Sequence, residues 1–251
     1  MNQIYQLCYN QNQAEQCMFP TIINRECSEF FENKVIAQCV KDGVHRQSDW
    51  FGVLSWRLKE KIGLRAMPNL IPSRISCRLR RLVDQPKNVR SLTHSVLLTH
   101  SRQRLQEALS TRIESIPYGI DAVSVITFDA MDLVQQGESF HNGFARHFRE
   151  MCAVIGITSI ERKYANPILF NYWLMRPEIV EDYVATALIP AMNYLSHVPT
   201  LYQGTQYGVG LPEHLRGKWG SDSFPMHPFL LERLPSVWLH HRHVTTGTLG
   251  F

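Results

Sequence analysis

Asp121-Ala-Val-Ser-Val-Ile-Thr-Phe128 is the stretch whose reading decides the fold. It is a near-continuous apolar run, too short for a buried helix, and it is stopped by Asp129. Such runs belong to strands buried on both faces, which occur where helices cover both sides of a parallel sheet. Upstream, residues 3–9 alternate polar and apolar and predict a first strand, and Trp50–Trp56 predicts a second short, aromatic one. Between and after them stand segments of helical period. Ser28 is placed to cap a helix running through Val40, and short helices are expected at 57–62 and at 72–81. A strand is expected at 95–99, then a helix from Ser101 to just before Pro117, and another over 143–155 ended by Gly156. Residues 178–195 carry the best stripe (Val180, Val184, Ala187, Leu188, Ala191, Met192, Leu195), with a kink expected at Pro190. Alternating strands and helices predict an α/β fold: one domain over 1–251, with a mostly parallel central sheet flanked by helices.

Composition agrees with a globular chain. At 251 residues there is room for a sizeable core, and no apolar run approaches the ~18 residues that span a bilayer. The first residues lack both a basic region and an apolar core, so no leader peptide is expected. The six cysteines (8, 17, 27, 39, 77, 152) show no C-x-x-C spacing, which predicts reduced thiols and a cytoplasmic location. Residues 199–225, with glycines at 204, 208, 210, 217 and 220, read as a long flexible loop of the kind that carries function.

The net charge of +4 hides an asymmetry. Residues 57–104 hold twelve Lys/Arg against Glu60 and Asp84, a local +10 that leaves −6 for the remainder. A basic excess of this size suits a polyanion, a diphosphate or an acidic surface, or else a set of solvated helix faces. Within it Arg74, Arg78 and Arg81 fall on one helical face, which makes them the nucleic-acid candidates.

Four segments carry candidate chemistry. In His227–Leu239 the pair Glu232-Arg233 is set among large apolar residues. Charges are almost never buried unless paired, so the pair either lines a pocket or faces water from an amphipathic helix. Asp129 and Asp132 follow the buried strand, where α/β folds collect ligands. They could hold Mn²⁺ or Mg²⁺ and through it a diphosphate, or simply form turns and caps. Glu138 and His141 stand in a Gly-bracketed loop, Gln136–Gly143, as acid or base, as sugar contacts, or as a helix-entry turn. Asn171, between bulky aromatics, is a core hydrogen-bonder or a ligand contact.

Taken in order, the segments Ile4–Tyr9, Phe51–Trp56 with Lys59 and Lys61, Gly137–Gly143, Phe170–Trp173 and Pro228–Leu234 resemble bacterial and phage glycosyltransferase-like proteins with the GT-A fold. The resemblance implies a Rossmann-like domain that moves a sugar from a nucleotide-sugar donor to an acceptor hydroxyl on a carbohydrate. On that reading Tyr5 and the loop after the first strand hold the nucleotide base, and Asp129 and Asp132 sit by the diphosphate. Arg216, Lys218 and Trp219 close over the donor. Glu232 is the base with Arg233 beside it, and Glu138, His141 and Asn171 contact sugars. Asp129-x-x-Asp132 departs from the usual Asp-x-Asp. Two other readings remain open: transfer to a hydroxylated base in phage-type DNA, and a non-catalytic polyanion binder on the same scaffold. His240–His243 reads as surface.

Overall fold

The computed structural model describes residues 3–26, 28–59, 61–62, 102–202, 216–218 and 222–251. The expected helix at 72–81, the expected strand at 95–99, Arg74, Arg78, Arg81, Trp219 and most of the basic region 57–104 lie outside them.

Six strands form one sheet: β1 (Gln3–Cys8), β2 (Thr21–Ile23), β3 (Phe51–Ser55), β4 (Ala122–Ser124), β5 (Trp173–Met175) and β6 (Thr246–Thr248), in the order β2-β1-β3-β5-β4-β6. β1 runs parallel to β2 and β3, β4 runs parallel to β6, and β5 is antiparallel to its neighbours β3 and β4. Five strands therefore point the same way, and their carboxyl ends share one edge. The helices are α1 (Gln11–Ala14), α2 (Glu32–Lys41), α3 (Arg102–Glu114), α4 (Leu133–Phe140), α5 (Phe144–Val154), α6 (Pro177–Tyr183), α7 (Ile189–Leu195), α8 (His227–Leu231) and α9 (Leu234–His241). The mixed, mostly parallel α/β architecture agrees with the sequence reading. No helix among the described residues is long and apolar enough to cross a membrane. Cys8, Cys17, Cys39 and Cys152 are free and buried.

Three departures from the expected elements position the site. The strand expected over 121–128 pairs only at Ala122–Ser124, although residues 122–126 are all buried. Its partner β5 is short because Phe170 and Asn171 take φ of 58° and 56° and turn the chain away from the ladder. The helix expected from Ser28 begins at Glu32, because Phe31 holds φ 47°, a conformation a helix cannot include. The C-terminal segment is two helices rather than one. Pro235 has no N–H to give to the carbonyl of Leu231, so α8 stops and α9 restarts, with Glu232 and Arg233 at the break.

At Pro190 the expected kink takes the form of a π turn over Val184–Leu188, joining α6 to α7 without interrupting the helical path. Of the 199–225 loop, Pro199–Tyr202 forms a 3₁₀ turn, and Leu201 is fully buried.

Gly52 is required by packing at the centre of the sheet. A Cβ there would lie 2.5 Å from the carbonyl oxygen of Trp173 on β5. Backbone cannot yield as a side-chain tip can, so Gly52→Ala is expected to destabilise the fold by about 1–3 kcal/mol, the usual cost of overpacking. Urea unfolding of the variant checks this, and an unchanged midpoint would mean that β3 and β5 are not so closely apposed.

Candidate active site

A cleft of about 340 Å³ opens at the carboxyl edge of β3, within the ~300–1,000 Å³ range of small-molecule sites. It is built from five parts of the chain. α2 contributes Glu32; the end of β3 and the turn after it give Ser55, Arg57 and Lys61. α4 and the residue after it give Gln136, Phe140 and His141, and the approach to β5 gives Phe170 and Tyr172. The broken C-terminal helix supplies Phe229, Glu232 and Arg233.

Arg233 is the anchor. The side chain is buried, 2% exposed, yet no carboxylate among the described residues lies within ion-pair distance of it. Its Nε donates to Gln136 Oε1 at 2.8 Å and Nη1 donates to the carbonyl of Phe229 at 2.6 Å. Its guanidinium carbon stands 4.9 Å from the centre of the Phe144 ring. A guanidinium held, among the described residues, by neutral acceptors and a ring keeps a positive field at the cleft floor as long as the adjacent Glu232 carboxyl is protonated.

Glu232, half-buried next to it, has no hydrogen-bond partner for its carboxyl among the described residues. Burial pushes its pKa up to about 8. Arg233 and Lys61 pull it down and Glu32 pushes it further up, and burial outweighs the cations. Glu32 is also raised, chiefly by burial, while its Oε1 accepts a hydrogen bond from the Tyr9 hydroxyl at 3.0 Å. The Tyr172 hydroxyl lies between these groups, beside Ser55, both carboxyls and Arg57.

The cleft thus has two halves. Glu32, Ser55, Arg57, Lys61 and Tyr172 make a charged half on the side of β1 and β3. Phe140, His141, Phe170 and Phe229 make an aromatic half on the side of α4, and Glu232-Arg233 stands between them. His141 stacks on Phe229 with ring centres 4.0 Å apart, and burial, with Arg233 nearby, lowers its pKa to about 4. It is a neutral imidazole at physiological pH.

Strain gathers around the same place. Among the described residues four non-glycine positions have positive φ, and three of them adjoin or belong to the cleft: Phe31 before Glu32, Phe170 itself, and Asn171 before Tyr172. Phe31 is held by stacking on Phe224, with ring centres at 5.3 Å, and Phe170 by packing on Phe128 at 5.6 Å. Each such residue costs about 1–3 kcal/mol and persists only where its surroundings enforce it.

Of the residues singled out in the sequence, the structure brings Glu232, Arg233 and His141 into one cleft. Lys61 joins them, and the other described candidates lie elsewhere. Asp132 accepts from the backbone N–H of Val134 and Gln135, both at 2.9 Å, and is the N-cap of α4. Asp129 is exposed, and neither aspartate lines the cleft. A divalent cation needs several converging oxygens, and a pair divided between a cap and solvent does not fit Mn²⁺ or Mg²⁺.

Glu138 likewise has a structural task. It accepts from Gly143 and Ala145 N–H at 2.9 and 2.7 Å, which caps α5 and holds its carboxyl below the usual range. Asn171 is buried with φ 56°, and its Oδ1 lacks a partner, but it does not line the cleft. Tyr5 does not line the cleft, and burial, then Cys39 of α2, raises its pKa. Arg216 and Lys218 are exposed outside the cleft, and Lys218 donates to the carbonyl of Glu26.

Glu32, Tyr172 and Phe140 are site residues that sequence reasoning missed. Glu32 opens a helix, and an acid in a first turn is so ordinary that nothing local marks it. No protein family matches the chain, and comparisons with curated proteins and with solved structures give no significant match.

The raised pKa of Glu232 links stability to pH. An unfolded glutamate releases its proton near ~4.3, whereas the folded chain keeps it to about 8, so the folded state loses stability as pH rises through that window. Glu232→Gln carries no proton to lose. Its melting temperature is expected to match that of the natural chain near pH 4, to exceed it increasingly up to about pH 8, and to hold that lead above. Thermal scans across that range decide, and a difference independent of pH would mean that the Glu232 carboxyl is solvated.

Proposed function

We propose that this cleft transfers a glycosyl group from a nucleotide-sugar donor to an acceptor hydroxyl, with Glu232 as the base. The observation that carries the reading is the Glu232 carboxyl. It has no hydrogen-bond partner among the described residues, feels the charges of Arg233 and Lys61, and has its pKa brought by burial to about 8, in the range where a general base works. Arg57 and Lys61 supply positive charge on the β3 side, where parallel sheets receive phosphates beyond their strand ends, and the field of Arg233 adds to it. The resemblance of Pro228–Leu234 to the Glu-Arg-Leu element of GT-A glycosyltransferases points to the same residues.

The reaction balances within these groups. The acceptor hydroxyl gives its proton to the Glu232 carboxylate as its oxygen bonds to the anomeric carbon. The bond from that carbon to the diphosphate oxygen breaks, and its electron pair leaves on the nucleoside diphosphate. Arg57, Lys61 and Arg233 offset the charge that develops there. The aromatic half excludes water that would otherwise take the sugar.

Because the base acts only when deprotonated, turnover is expected to rise about tenfold per pH unit below about 8 and to level off above it. Glu232→Gln keeps the shape and removes the base. Transfer should fall by at least about a hundredfold, while nucleoside diphosphate binding, followed by calorimetry, persists. Release of nucleoside diphosphate from a panel of nucleotide sugars provides the assay. Wild-type turnover in the variant, or a rate that does not vary between pH 6 and 9, would remove Glu232 from the chemistry.

A further inference from the structure

The mouth of the cleft carries an aromatic side chain that the proposed chemistry leaves unused. Among the described residues four large apolar side chains are exposed: Tyr118, Phe140, Val154 and Ile189. A lone exposed hydrophobe is ordinary on a protein surface. Phe140, at 65% exposure, differs in its position, because it is the one of the four that lines the cleft. It ends α4, and its ring centre lies 6.5 Å from that of His141, which stacks in turn on Phe229. Through His141 and Phe229 the phenyl ring extends the aromatic lining of the cleft from buried rings out to solvent.

A ligand here meets two kinds of surface at once. One is an apolar ring open on a single face. The other is a set of hydrogen-bonding groups around it, the Glu232 carboxyl and the His141 imidazole. A pyranose has the matching two-sided form, with axial C–H groups on one face and hydroxyls around the rim. A nucleobase fits less well. It favours stacking and a cationic track for its phosphates, whereas the lysine and arginine of the charged half, Lys61 and Arg57, are already assigned to the donor diphosphate.

We infer that the aromatic half of the cleft is the acceptor subsite and that the acceptor is a sugar ring packed on Phe140, with the reacting hydroxyl turned toward Glu232. The inference rests on the transferase reading for the word acceptor, but the sugar-binding surface itself can be tested without turnover. Phe140 acts here by positioning the ring and does not touch the reacting atoms.

Saturation-transfer NMR with methyl glucoside, galactoside, mannoside and N-acetylglucosaminide pyranosides reads the contact directly, with a short oligothymidylate as the rival probe. At least one pyranoside is expected to show transfer concentrated on the C–H protons of one ring face. Phe140→Ala should weaken that binding about tenfold, the order lost with one stacking contact, and Phe140→Trp should retain it. Because Phe140 is mostly exposed, the alanine variant keeps the core intact. Nucleoside diphosphate binding, followed in the same samples, reports the charged half independently. Its absence would sink the transferase reading while leaving the sugar contact to stand or fall by its own signal. The inference is overturned if none of the pyranosides contacts the protein, if the contact is indifferent to Phe140→Ala, or if the oligothymidylate binds instead in a manner that depends on Phe140.

Discussion

The guanidinium of Arg233 is buried with no carboxylate at ion-pair distance among the described residues, and the cleft is organised by what that charge requires. A cation withdrawn from water needs acceptors with good geometry, and the fold provides one nearby, the Phe229 carbonyl four residues back on α8, and one from a distant segment, the Gln136 side chain on α4. The bonds to Gln136 and the Phe144 ring tie the C-terminal helices to the α4–α5 pair. The break at Glu232-Arg233, forced by Pro235, leaves both side chains at the junction. Arg233 turns inward to its ligands, and the neighbouring carboxyl is left facing the cavity. The same arrangement sets the chemistry, because burial raises Glu232 while the cation next to it limits how far.

The rest of the site consists of parts held under tension. Phe31, Phe170 and Asn171 take backbone conformations that cost energy, and each is next to a side chain that the cleft uses or is itself one. Phe31 starts α2 late and so delivers Glu32 at its first turn. Phe170 and Asn171 delay the start of β5 and so leave Tyr172 on its approach, beside the two carboxyls. In both places the stacking of aromatic rings offsets the strain. Folding stability is lowered locally where the two halves of the cleft meet, which is the usual relation between a functional site and its scaffold.

Much of the architecture was legible along the chain, since β1, β3, α3, α5 and the long helical run from Pro177 to Leu195 fall within a few residues of where hydrophobic period and caps put them. The candidate site was legible in part. Glu232-Arg233 stood out because charge amid large apolar residues is uncommon, and His141 because it lies in a Gly-bracketed turn. Asp132 and Glu138 were equally conspicuous, but their carboxylates satisfy backbone N–H groups at helix starts. A short acidic motif before a helix suits a cap as well as a ligand, and spacing alone does not separate the two.

By itself the sequence determined the class of fold and the chemical oddity of its C-terminal segment. Both depend on local pattern: apolar runs that must be buried, proline that cannot donate, and charge that cannot be left alone in a core. Which side chains meet was decided only by tertiary structure. Glu32 and Glu232 are two hundred residues apart along the chain, and their convergence follows from the packing of α2 on β3 and from the docking of α8 on that helix. Desolvation and the field of neighbouring charges arise only once distant segments pack. For that reason the raised pKa of Glu232, the neutrality of His141 and the exposure of Phe140 at the cleft mouth could not be read from any stretch of the chain taken alone.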